Sequence, residues 1–179
     1  MDIENELLNN RIILVIITKE NFNGEFIASL KVFEKNAGKI CYICVNQPYS
    51  FVINNITKNG MQADKFFFID ALTKSVQAPP IVDNCIFVSA PNALTEISLA
   101  ISKAINEKHC DCTVFDTLST LMIYENPHSI IQFVHNVLTK IRISAGKALF
   151  IALKDDVNSE LVKDLYMFVD KVVDASKTK

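Results

Sequence analysis

Glycine is scarce in this chain, with four among 179 residues, alongside five prolines and no tryptophan. So few backbone breakers, with half the residues apolar, exclude a linker or a disordered tail. Positive charge is not in excess either: Lys and Arg number 18 against 20 Asp and Glu, a net charge of −2. With a pI near 5.9, the chain lacks the overall basic footprint of a nucleic-acid binder. No apolar run approaches the ~20 residues that cross a bilayer, so no membrane is expected. The N-terminal Met-Asp-Ile-Glu-Asn-Glu is acidic, the wrong sign for a secretory leader, and a cytoplasmic location is the expectation. No internal repeat or low-complexity stretch occurs. What remains is a length suited to one domain with a sizeable core, residues 1–179, its core about 10–175.

The five cysteines do not form a metal signature. Cys41 and Cys44 fall in a strand-like run, where residues three apart point to opposite faces, so this C-x-x-C reads as core. His109-Cys110-Asp111-Cys112 is more ligand-like, but no second pair has zinc spacing. His128 and His135 share a helical face seven residues apart, not the four of a helical zinc pair. No metal is expected.

Strand-like and helix-like runs alternate. Residues 11–18 are almost continuously apolar, as in a strand covered on both faces. Phe26, Leu30 and Phe33 place a helix over 25–37, ended by Gly38. Further strands are expected at 39–45, 65–70, 85–89, 112–116 and 148–153, with 171–174 closing the sheet. Helices are expected at 49–57, from Pro91 and Asn92 to about Lys108, from Asn126-Pro127 through Ile141, and at 158–168. Residues 71–84, with Pro79-Pro80, form an irregular excursion, either a lid or a connection. The series predicts an α/β fold, a three-layer αβα sandwich around a mostly parallel sheet. Ligands of such sheets bind beyond the carboxyl ends of the strands, here Thr18, Val45, Asp116 and Lys154 onward.

The first of these ends is where a phosphate-binding loop, G-x-x-x-x-G-K-[ST], would sit. Thr18 and Asn23 fall on its glycines, Gly24 on its lysine and Glu25 on its Ser/Thr. All four positions differ, and Glu20 and Glu25 add negative charge where phosphate would lie. An ordinary strand-to-helix turn is the plainer reading, with Asn21 or Asn23 capping and Glu25 favouring the positive end of the helix; a weak anion site is the other. After the second strand come Asn46-Gln47-Pro48, whose amides cannot take a proton from water at neutral pH. Asp116-Thr-Leu-Ser119 ends the 112–116 strand, where a structural or capping role suits an aspartate without a phosphate lysine. No G-x-S-x-G elbow or arguable Ser/His/Asp triad occurs, and Asp155-Asp156 with Thr18-Lys19-Glu20 makes a poor phosphoacceptor site.

In order and spacing these segments resemble RecA-like ATPases of the KaiC type. The resemblance runs over about residues 10–175 and rests on the Asn46-Gln47-Pro48 position, Asp116-Thr-Leu-Ser119, Leu121-Met-Ile-Tyr124 and Ser89-Ala-Pro91-Asn-Ala-Leu-Thr-Glu-Ile97, the last similar to small archaeal-type members. It implies a RecA-like sheet, Asp116 in the Walker B position, and amides where the family carries a catalytic acidic pair. It identifies Thr18, Asn23, Gly24, Glu25, Asn46, Gln47 and Asp116 as the remnant of a nucleotide site. Losing one preorganised electrostatic contact typically lowers a rate ~10²–10³-fold, and here several are missing together. The expectation is a non-catalytic pseudo-ATPase domain with a degenerate P-loop and no cofactor. Its work would be binding a protein partner or itself, with nucleotide binding weak or absent. The alternatives are a nucleotide sensor without hydrolysis, a DNA-associated accessory protein, and an enzyme using another site of the sheet.

Overall fold

The computed structural model describes residues 3–175. Its seven strands are β1 (Ile12–Ile17), β2 (Ile40–Cys44), β3 (Phe66–Asp70), β4 (Cys85–Phe87), β5 (Cys112–Phe115), β6 (Lys147–Leu153) and β7 (Lys171–Asp174). They form one sheet in the order β4-β3-β2-β5-β6-β1-β7, and every pairing is parallel. The helices are α1 (Ile3–Asn9), α2 (Phe22–Asn36), α3 (Tyr49–Lys58), α4 (Leu94–Asn106), α5 (Leu118–Tyr124), α6 (Pro127–Ile143) and α7 (Glu160–Phe168). The fold is the three-layer α/β sandwich expected, with a parallel RecA-like sheet.

The strand period of two sorts the core into halves. Ile13, Val15 and Ile17 of β1 face the layer of α1, α2 and α3, where Leu7, Phe26, Leu30, Val52 and Ile56 meet them. Ile12, Leu14 and Ile16 face the layer of α4–α7, against side chains such as Ile97, Ile130, Val134 and Leu161. β1 is buried along its whole length, which is why its sequence lacks alternation. Cys41 and Cys44 fall in opposite halves, as strand geometry requires. The layering follows from connectivity: the chain runs from β1 to β4 toward one edge, then from β5 to β7 toward the other. Right-handed crossovers put the helices of two opposite runs on opposite faces.

Several helix ends follow their sequence signals. Asn126 caps α6, its Oδ1 accepting from Ser129 N at 3.0 Å, with Pro127 at the first helical position. Ser159 Oγ likewise accepts from Val162 N at 3.3 Å. Gly60, at φ 74°, follows α3 in the left-handed conformation that glycine tolerates best.

Three expectations need correction. The helix expected over 25–37 begins at Phe22, so Asn23, Gly24 and Glu25 are helical rather than loop. Asn21 is its N-cap but makes no side-chain capping bond, and Asn23 caps nothing. The helix expected from Pro91 and Asn92 begins at Leu94, because Ser89 N and Oγ both donate to the Glu96 carboxylate, at 2.9 and 2.6 Å, and hold a turn ahead of it.

Candidate functional site

Two crevices open at the carboxyl edge of the sheet, where neighbouring strands send their next helices to opposite faces. One lies between β2 and β5, the other between β6 and β1. In open α/β sheets these reversals are where ligands bind.

At the β2–β5 crevice the strand-end rule and the local chemistry converge on Asp116. Its carboxylate is 2% exposed. Oδ1 accepts from Val45 N and Asn46 N, both at 3.2 Å, and from Thr117 N at 2.8 Å. Oδ2 accepts from Asn46 N at 3.2 Å and Gln47 N at 3.4 Å. Four successive or neighbouring backbone N–H groups therefore close on one carboxylate, which pins the loop after β2 to the end of β5. Burial pushes the Asp116 carboxyl up to about 7, the amide donors of Asn46, Val45, Gln47 and Thr117 pulling the other way. Thr117 then caps α5, its Oγ1 accepting from Ser119 N at 3.2 Å, and Ser119 Oγ accepts from Leu153 N at 3.1 Å on β6.

A second aspartate repeats the device two strands over, on the far side of β2. Asp70, at the end of β3, is fully buried. Its Oδ2 accepts from Tyr49 N at 2.8 Å and Thr73 Oγ1 at 2.6 Å, and its Oδ1 from Leu72 N at 2.7 Å and Thr73 N at 2.8 Å. It thereby satisfies an orphan amide at the start of α3 and folds the first turn of the 71–84 excursion. Sequence reading missed Asp70, because a carboxylate whose partners are backbone amides leaves no motif.

The β6–β1 crevice is built differently. Between the end of β1 and Phe22 only residues 18–21 intervene, one tight turn with Asn21 N donating to Thr18 Oγ1 at 3.4 Å. Lys19 Nζ reaches across to Asp155 at 2.7 Å, both side chains more than 60% exposed. The hydrogen bond and charge of Asp155 raise the Lys19 pKa. Glu25 lies in the first turn of α2, where the helix dipole favours its charge. Its Oε2 is buried without a hydrogen-bond partner.

Of the remnant set, the structure gathers four members around one cleft: Asn23, Asn46, Gln47 and Asp116. Thr18 and Glu25 are not among its lining residues, while Gly24 lines the adjoining groove between α2 and α3. The cleft itself holds about 10 Å³, the space of about one water. Phe22 helps to fill it, stacked on Phe26 at 5.6 Å, and Phe26 meets Tyr42 edge-on at 6.2 Å. The signal for Phe22 was present in the sequence, four residues ahead of Phe26 on the same helical stripe.

Among the described residues no three His, Cys, Asp or Glu side chains converge as a metal site. In the His109–Cys112 segment, Asp111 is engaged with backbone, accepting from Gly38 N and Lys39 N at 2.9 Å each. Cys110 and Cys112 are buried, and burial raises their thiols to about 11 and about 12. His128 pairs with Gln132 at 2.9 Å and His135 packs on Phe168. No helix of the described residues is long and apolar enough to cross a membrane.

The sequence matches no protein-family model and no curated protein. Solved structures share the fold. A KaiC-like protein from the hyperthermophilic archaeon Pyrococcus horikoshii superposes with a TM-score of 0.63 at 8% identity, over 88% of this chain and 68% of that one. An uncharacterised protein from Pyrococcus horikoshii, solved in complex with an unknown peptide, superposes with a TM-score of 0.66 at 10% identity, over 91% and 76%. At such identities the likeness speaks for the fold alone.

Proposed function

We propose that this chain is a non-catalytic, pseudo-ATPase version of the RecA/KaiC-like fold that works by binding protein, a partner or a second copy of itself. The observation that carries the reading is the engagement of Asp116. In the Walker B position its carboxylate would have to face a magnesium–nucleotide, yet both oxygens are taken by backbone N–H groups. A magnesium–nucleotide fits these residues badly on other grounds as well. The turn at 18–21 is too short to wrap phosphates, the first turn of α2 stands where the cradle would be, and Phe22 packs into the cleft that remains. Phosphoryl transfer depends on positioning and charge stabilisation, and Lys19, the cation on this turn, is paired with Asp155 at 2.7 Å.

Protein binding is favoured by what the surface presents. Leu99 on α4 and Ile143 on α6 are 60% and 82% exposed, and Val76 and Ile81 stand out from the 71–84 excursion at 85% and 103%. The peptide bound to one of the structural neighbours agrees with a protein-binding use of this fold. The test is thermal unfolding with and without ATP, ADP and magnesium, beside light scattering on a sizing column. The reading expects no saturable stabilisation by nucleotide. ATP turnover that disappears in Asp116→Ala would overturn it.

A further inference from the structure

We propose that the groove between α2 and α3 is the binding site for an extended, uncharged peptide segment of the partner. This rests on the protein-binding reading above and gives it a place and a ligand chemistry.

The groove runs out from the Asp116 cleft, sharing Asn23, Gln47 and Asn55 with it, and encloses about 500 Å³. Its lining is unusual for a protein with 20 acidic residues: among the described residues no carboxylate lines it, and Lys58 is the one cation that does. Besides Lys58 the polar side chains are carboxamides: Asn23 on α2, Gln47 after β2, Asn54 and Asn55 on α3, and Asn59 just beyond it. Asn59 Nδ2 donates to Asn55 Oδ1 at 2.9 Å, which leaves Asn23, Gln47 and Asn54 to offer both functions to a ligand. A carboxamide offers donor and acceptor together in one plane. That pairing matches a peptide group, which carries the same two functions. It does not match a phosphate or a carboxylate-rich surface.

The shape agrees with the chemistry. Gly24 lies on the wall, and a Cβ built there meets nothing within 4 Å. A main chain can therefore approach the α2 backbone closely at that point. Phe51 stands at the groove 53% exposed, a ring on which one apolar side chain can rest. A nucleotide is the poorer match, because a single lysine cannot balance its phosphates. A free nucleoside would leave much of this open groove unfilled, whereas small-molecule sites bury most of their ligand.

The experiment uses the whole chain and a display library of random twelve-residue peptides. Peptides enriched on the wild-type protein are synthesised, and their affinity is measured by fluorescence polarisation. NMR then follows the side-chain amide resonances of Asn23, Gln47, Asn54 and Asn55. The expected result is enrichment of peptides without net charge, with those four amides shifting on binding. Gly24→Leu, which fills the wall without a clash and suits a helix, is expected to weaken binding at least tenfold. Asn54→Glu, an exposed change, is expected to weaken it in the same direction. Lys103→Ala, an exposed change on α4 in the opposite layer, is expected to leave it unchanged.

Three outcomes would overturn the proposal: no enriched peptide, binding indifferent to Gly24→Leu and Asn54→Glu, or shifts of the four amides with adenosine but with no peptide. Peptides that bind equally well to Gly24→Leu but are lost in Ile143→Ser would remove the groove and leave the protein-binding reading standing. ATP turnover by a chain whose peptide binding is still weakened by Gly24→Leu would remove the pseudo-ATPase reading and leave the groove standing.

Discussion

The crevices at β2–β5 and β6–β1 sit at the same edge of one sheet, yet the chain bridges them with different materials. The first is held by a carboxylate 2% exposed that collects four backbone amides. The second is spanned by a lysine and an aspartate standing in solvent over a four-residue turn. Buried hydrogen-bonding groups are costly to leave without a partner. Exposed ion pairs are screened and contribute little. The difference separates a structural fixture from a surface contact, and it predicts a wide gap between the two when each is removed.

The largest expected effect is at the buried clasp. Asp116→Ala leaves four N–H groups without an acceptor and should lower stability by about 3 kcal/mol at pH 6. For a chain of this size that is a fall in Tm of ~6–12 °C, read by calorimetry. Asp70→Ala, which orphans the amides of Tyr49, Leu72 and Thr73, should fall in the same range. If either change is silent, the clasp is not what holds this edge.

Asp116→Asn should be milder, about 1–2 kcal/mol, because Oδ1 keeps its donors while the new NH₂ group faces Asn46 N and Gln47 N. The same variant carries a pH test. The carboxyl titrates near 7 in the folded chain against an ordinary value of 3.8, so between those values the folded state holds a proton that the unfolded state has released. Its contribution is therefore full below about pH 4 and declines as pH rises through 7. The difference in stability between wild type and Asp116→Asn should shrink or reverse over that window. A difference flat from pH 4 to 8 would contradict the assignment.

The smallest effect is expected at the other crevice. Lys19→Ala should leave Tm unchanged at physiological salt. A large loss there would put the two crevices on an equal footing and erase the contrast.

How much of this could be read from the chain depends on what kind of partner each residue has. Strands β1 and β6 were legible because both faces are covered and their apolar runs have no competing explanation. The start of α6 was legible from Asn126-Pro127, whose capping chemistry is local. The start of α2 was not, because Asn23 and Gly24 look like loop residues and only packing of Phe22 on Phe26 makes the first turn helical. Helices α1 and α5 went unassigned, each only seven residues long. The grouping of Asn46, Gln47 and Asp116 was expected from the strand ends together with the family resemblance. That Asp116 binds the backbone of 45–47, rather than either amide side chain, was beyond sequence, since a main-chain N–H has no letter. The α3 wall of the groove was likewise hidden, as Asn54 and Asn55 read as ordinary exposed helix positions.

The central proposal is that Asp116 serves the fold and not a nucleotide. Titration of the wild-type protein with magnesium–ATP in an isothermal calorimeter, alongside a phosphate-release assay, tests it most directly. The account predicts no saturable heat at millimolar ATP and no phosphate release above the protein-free control. Saturable binding with turnover abolished by Asp116→Asn, in a variant that remains folded, would contradict it.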